Sequence, residues 1–315
     1  MSPSASQSRG RLTAVPFGIM HVPVAPFTAD NKLDLDTNSK HIDFCIRHGA
    51  SSLCVVLHLA ESLNLGIDER KELAKASIDA AAGRVPVIVN VSTPGTDQAI
   101  ELARHAERAG ADAVIAIAPY YWKPSQEAIC AHFSAIMSAT ALPFMGYHSP
   151  ALMDGIGISP ASLIHLMERF DRFIGLKEAS HNFENFIELR RASRQVRDNF
   201  GLILGIEYVL PAITLGGVGT MSIFGAVCPR LVNRLFEASV KGRLDEARAL
   251  QDTMSYLWQL GKVDYPAPIK AMMEIMGRPV GGTRLPIRTV SGEKKKFLAS
   301  ELERLGLLAG EPAGW

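Results

Sequence analysis

The sequence predicts an α/β protein, a closed (β/α)8 TIM barrel with a C-terminal helical extension. Three observations carry this. Short apolar, β-rich runs recur roughly every 30 residues, each followed by a longer amphipathic segment. Most of the runs are continuously apolar rather than alternating, as strands buried on both faces must be. Eight such units fill about 240 residues, the arithmetic of a (β/α)8 barrel. A doubly wound open sheet fits less well, because it does not need eight parallel strands and no dinucleotide fingerprint follows the first run.

The runs lie at residues 17–24, 52–57, 85–91, 113–118, 142–147, 173–177, 202–206 and 219–224. Residues 1–12, MSPSASQSRGRL, are small, polar and basic without the apolar stretch of a secretory signal, and read as a flexible tail. The barrel domain is then expected at 13–241. After Pro94 the segment TDQAIELARHAERAG sets Ile100, Ala103 and Ala106 with Leu102 on one face and stops at Gly110. Ser159-Pro160 offers a capping hydroxyl followed by proline at the first helical position, where no donor is lost. From 242 to 315 the pattern is helical throughout: LDEARALQDTMSYLWQLGK, IKAMMEIMG and GEKKKFLASELERLGLL.

Composition excludes several function classes. The 315 residues carry 33 Lys+Arg against 32 Asp+Glu, a net charge of +1, so no nucleic acid or anionic membrane surface is expected as a partner. Lys294 to Lys296 form the only basic run and read as a solvated helix face. With 47% hydrophobic residues and no stretch near the roughly 18 apolar residues of a membrane span, the chain reads as a soluble globular protein. Cys45, Cys54, Cys130 and Cys228 stand singly in apolar contexts, which suits a reducing cytoplasm and gives neither a disulfide framework nor metal spacing. His105, His132 and His165 show no ligand spacing, so no metal is assigned. Gly216-Gly217-Val218-Gly219 precedes a strand rather than a helix and reads as a turn, not a phosphate cradle.

In a TIM barrel the chemistry comes from the C-terminal ends of the strands. The sixth run closes in Lys177-Glu178, the fifth in Tyr147-His148, the second in His58-Leu59-Ala60-Glu61, and the fourth leads into Tyr120-Tyr121. An ammonium at the mouth of an apolar barrel is poorly solvated, which favours the neutral amine that can form a Schiff base with a ketone. A lysine that merely snorkels to solvent would look the same from position alone. Tyr147 offers a phenol able to relay protons, or a half-buried ring with a satisfied hydroxyl.

Taken in order, PYYWKPSQEAICAHF (119–133), YHSP (147–150), IGLKEAS (174–180), GGVGTMS (216–222) and RLP (284–286) resemble the dihydrodipicolinate synthase / N-acetylneuraminate lyase family of class I, Schiff-base aldolases. The resemblance implies a homotetramer, a dimer of dimers. It implies a covalent Schiff base on Lys177 with no other cofactor, Tyr147 as proton shuttle, and Tyr121 reaching across a subunit interface. The partner it implies is a small-molecule 2-oxo acid such as pyruvate. His58, Leu59, Glu207 and Ser222 are the candidate substrate-binding residues.

Two departures stand out. Where pyruvate-using members typically read Gly-Thr-Thr-Gly-Glu, this chain reads Leu57-His58-Leu59-Ala60-Glu61, without the two hydroxyls. His58 could donate to a carboxylate, act as acid or base, or be structural. After YHSP, where synthases usually carry an arginine, the chain runs Ala151-Leu152-Met153-Asp154. Both departures point to a lyase, aldolase or hydro-lyase, with a substrate other than the pyruvate/aspartate-semialdehyde pair: aldol cleavage of a longer or aromatic 2-oxo acid, or dehydration of a deoxy sugar acid, with Leu57, Leu59 and Trp122 tilting toward the more apolar ligand. The competing expectation is a barrel that has lost catalysis and binds a small molecule reversibly.

Overall fold

The computed structural model describes residues 11–150 and 153–315. The expected tail lies outside them except for Arg11 and Leu12. Eight parallel strands close a barrel in chain order, β1 pairing with both β2 and β8. They are β1 (Gly18–His21), β2 (Ser52–Val55), β3 (Val87–Asn90), β4 (Ala113–Ile117), β5 (Phe144–His148), β6 (Phe173–Glu178), β7 (Gly201–Gly205) and β8 (Gly219–Ser222). The outer helices are α1 (Leu35–Arg47), α2 (Ile67–Ala81), α3 (Thr96–Ala109), α4 (Gln126–Ala139), α5 (Pro160–Arg169), α6 (Phe183–Arg194), α7 (Val209–Thr214) and α8 (Pro229–Val240). Beyond them come α9 (Leu244–Gly261), α10 (Ala267–Ile275), α11 (Gly292–Arg304) and α12 (Leu307–Gly310).

Each strand falls within or against an apolar run, and the differences at the ends have local causes. Pro86 and Pro143 cannot donate to a ladder, so β3 and β5 start one residue after them, while their carbonyls still accept from Leu53 and Val114. β5 and β6 run on through His148 and Glu178, which face each other in register. Barrel closure requires glycine at one point: a Cβ on Gly219 would lie 2.0 Å from the Gly18 carbonyl oxygen.

Helix starts follow the capping chemistry. The Ser159 side chain accepts from the Ser162 amide with Pro160 in the first turn, and α3 ends at Gly110 in the left-handed region. The buried face of α3 is Ala99, Leu102, Ala103 and Ala106, so Ile100 sits at its edge rather than within it.

One apolar cluster fills the layer between strands and helices α1 to α6. A second joins the barrel interior (Cys54, Ile88, Ile115, Met145, Ile203) to α8, α9 and α10 through Leu235, Leu257, Met272 and Met273. The C-terminal helices are thus part of the barrel's own core. Arg278 fastens them: wholly buried, it donates to the carbonyls of Ala226, Val227, Pro312 and Gly314, and stacks 4.4 Å from the Phe44 ring. Among the described residues no helix is long and apolar enough to cross a membrane.

Candidate active site

In register across β5 and β6, Tyr147 and Lys177 are direct partners, so both side chains project from the same face of the sheet. The Lys177 amine lies 3.9 Å from the centre of the Tyr147 ring, and the residue is only 3% exposed. Together they line a cavity of about 220 Å³ at the C-terminal mouth of the barrel. Space for the lysine depends on Gly205 of β7, where a Cβ would come within 2.9 Å of Lys177 Cε. Gly205→Ala should leave the fold standing, since Lys177 Cε is the far end of a flexible side chain and the Ala179 Cβ, 3.1 Å away, has to give by only a few tenths of an ångström. It should displace the amine and slow any imine that the amine forms with a 2-oxo acid by about 10²-fold, measured as borohydride trapping with pyruvate alongside a thermal melt.

His58 opens a short 3-10 turn, His58–Ala60, directly after β2, and its ring approaches Tyr147 at 6.0 Å. Burial first, and the Lys177 charge second, hold its imidazole well below the ordinary histidine value. At neutral pH it is an uncharged ring whose Nδ1 is buried without a partner.

The backbone is strained on both sides of this mouth. Val56 after β2 has φ 58° and Ile206 after β7 has φ 62°, a region β-branched residues avoid at a cost of roughly 1–3 kcal/mol each. Ile206 lines the cavity, with Ile223 from the β8 end. The remaining wall comes from the C-terminal region: Tyr265 packs 5.4 Å from His58, and Trp258 packs 5.9 Å from Tyr265. Sequence reasoning did not single out Tyr265, Trp258, Ile206 or Ile223 as cavity residues. A positive φ leaves no trace in an apolar run. The two aromatics belong to a segment whose helical pattern gives no sign that it crosses the barrel mouth.

Other expected site residues stand elsewhere. Leu59 is 1% exposed and packs in the core rather than lining the cavity; Leu57 is equally buried. Trp122 is 64% exposed outside the cavity, so the apolar lining comes from other residues than those three. Tyr121 is 88% exposed, edge-on to Trp122, and does not reach the cavity of its own chain. Of the residues where an arginine was sought, Ala151 and Leu152 lie outside the described residues, and Asp154 pairs with Lys123 at 2.5 Å.

Glu207 and Ser222 form a brace behind the cavity. The Ser222 hydroxyl donates to Glu207 at 2.6 Å, as does the Phe224 amide at 2.7 Å, while the Gln251 side chain ties the Glu207 carbonyl to α9. Glu207 is buried rather than a loop carboxylate in solvent. Burial pushes its carboxyl up to about 6, against the pull of those hydrogen bonds. A carboxyl raised in the folded state stabilises most below its unfolded value, and that contribution is lost as pH rises through the folded one. We expect Glu207→Gln to remove this dependence. The stability of the unaltered protein relative to the variant should fall by about 2 kcal/mol between pH 4 and pH 7, followed by thermal melts.

Fold and site together define a barrel lyase of the class I aldolase type. The pattern of the Dihydrodipicolinate synthetase family matches residues 16–305, and the chain belongs to that family. It is 33% identical over 287 residues to the 4-hydroxy-tetrahydrodipicolinate synthase of Chlorobium phaeobacteroides, covering 90% of this chain and 96% of that protein. The synthase of Methanocaldococcus jannaschii is 32% identical over 294 residues, covering 92% and 99%. Among solved structures, YagE, a prophage protein of the dihydrodipicolinic acid synthase family from E. coli K12 in complex with pyruvate, superposes with a TM-score of 0.88 at 29% identity, covering 93% of this chain and all of that one.

Proposed function

We propose that the protein is a Schiff-base lyase acting on a 2-oxo acid, with Lys177 as the nucleophile and Tyr147 as the proton carrier. The observation that carries this is the buried Lys177 amine, 3.9 Å from the Tyr147 ring, at the end of a barrel strand in a cavity with largely apolar walls. The amine attacks the ketone carbon, and Tyr147 delivers the proton with which the carbinolamine hydroxyl leaves as water. The resulting cationic imine draws electrons from C3, so that the C3–C4 bond breaks or a C3 proton is lost. The scheme uses no metal or organic cofactor.

Family membership and the relatives named 4-hydroxy-tetrahydrodipicolinate synthase support pyruvate as the ketone component. Ile206, Ile223 and Trp258 support an apolar or aromatic group on the rest of the substrate; the lining also holds Lys262, an exposed point charge without the bidentate fork of an arginine. The exposed Tyr121 suits a homotetramer, a dimer of dimers in which that ring reaches a neighbour's cavity. The free thiols of Cys45, Cys54, Cys130 and Cys228 suit the cytoplasm. A panel of 4-hydroxy-2-oxo acids with aliphatic or aromatic substituents, assayed for pyruvate release, tests the assignment against pyruvate plus aspartate semialdehyde. Turnover of apolar members is expected. Reaction with aspartate semialdehyde plus pyruvate alone would overturn the apolar preference, and reversible binding without turnover of any member would overturn the lyase reading.

A further inference from the structure

We propose that Tyr265, a residue of the C-terminal helical region, binds the carboxylate of the 2-oxo acid through its hydroxyl, supplying from outside the barrel a side-chain donor that Leu57, Leu59 and Ala60 lack. The inference rests on the Schiff-base reading above. In a ring of eight strands β2 stands opposite β6, so a short 2-oxo acid tethered to Lys177 and extending across the barrel axis meets the end of β2. There the side chains are His58 and, packed upon it at 5.4 Å, Tyr265. Both line the cavity that holds Lys177.

The Tyr265 hydroxyl is buried and has no hydrogen-bond partner. A buried phenol left unpaired is costly, and the group calls for a partner, a water or the ligand group that displaces it. Its ring is fixed between His58 and Trp258, the latter at 5.9 Å and 73°, so the hydroxyl is held ready rather than recruited. A carboxylate entering among Ile206, Ile223 and Trp258 loses much of its water and needs such donors, since Lys262, the lining lysine besides Lys177, is an exposed side chain. Burial, with Tyr147 and Glu207 nearby, pushes the Tyr265 phenol well above its ordinary value, so it remains a proton donor throughout the neutral range. The unpartnered Ser149 hydroxyl also lines the cavity, but it lies on the β5 side, beside the lysine rather than across from it.

The test compares pyruvate with its uncharged analogue pyruvamide in borohydride trapping on the full-length protein, unaltered and as Tyr265→Phe. Phenylalanine keeps the ring between His58 and Trp258 and removes only the donor. The concentration of pyruvate giving half-maximal trapping should rise by about tenfold or more in the variant, while pyruvamide trapping stays within about twofold, since a neutral amide gains less from the donor. Equal losses for both probes would mark Tyr265 as a structural residue and overturn the inference, as would no loss for either, with the Schiff-base reading left standing. Trapping of neither probe by the unaltered protein would overturn that reading and this inference together.

Discussion

Lys177→Ala is expected to lower turnover by at least about 10³-fold, because in the proposed scheme the amine beside Tyr147 is the nucleophile and Lys262, the other lining lysine, extends from the C-terminal region rather than from a strand end. The variant should fold. Among the described residues Lys177 makes no ion pair, and its amine lies against the Tyr147 ring, so truncation enlarges an existing cavity instead of orphaning a charge. Lys177→Arg is the sharper variant. It keeps the positive charge near Tyr147 but cannot form an imine, so an electrostatic role for Lys177 would survive it and a nucleophilic one would not. Tyr147→Phe is expected to lower kcat and to slow adduct formation without abolishing it, since the phenol supplies the proton for loss of water from the carbinolamine while the Lys177 amine stays in place.

Glu61→Gln should produce the largest loss of stability. Glu61 and Lys270 form a buried ion pair at 2.7 Å, with side-chain exposures of 0% and 3%. The ammonium also donates to the Gly282 carbonyl at 2.7 Å and sits 4.2 Å from the Phe27 ring, while the second Glu61 oxygen accepts from the Arg284 amide at 2.8 Å. Burial drives the Lys270 amine down to about 8 even with Glu61 pulling it up, a measure of how much that charge depends on its partner. Removing one partner strands the other, at roughly 3–5 kcal/mol, so the melting temperature should drop by about 6–15 °C. Glu61→Gln combined with Lys270→Met should recover much of this, because no buried charge then remains; simple addition of the two single losses would show that the pair is not coupled. Adduct formation should slow in Glu61→Gln as well. Glu61 ends the turn that begins at His58, and α10, which bears Lys270, starts two residues after Tyr265, so the pair joins the two walls that face Lys177.

Much of this was legible in the chain. Eight strands announced themselves because a strand covered on both faces has no polar positions to interrupt it, and Lys177 and Tyr147 stood out because they are the polar residues that close such runs. Their meeting follows from register, which the order of the runs implies. Glu207 shows where reading stops: its donors, Ser222 and the Phe224 amide, come from the next strand end, and only the closed barrel brings them within 2.7 Å. Leu59 shows the converse, since one residue of a 3-10 turn separates a side chain in the cavity from one in the core. Tyr265 and Trp258 were silent for a third reason. Trp258 belongs to a helix whose pattern reports only which face is apolar, Tyr265 to the turn after it, and the barrel mouth they pack against is set by contacts between segments far apart in sequence.

The most direct measurement is borohydride reduction in the presence of pyruvate, followed by peptide mapping of the modified site. The account predicts a single adduct on the peptide containing Lys177, absent from Lys177→Arg. A stable adduct on Lys262, the other lysine that lines the cavity, or no adduct on protein shown to be folded, would contradict it.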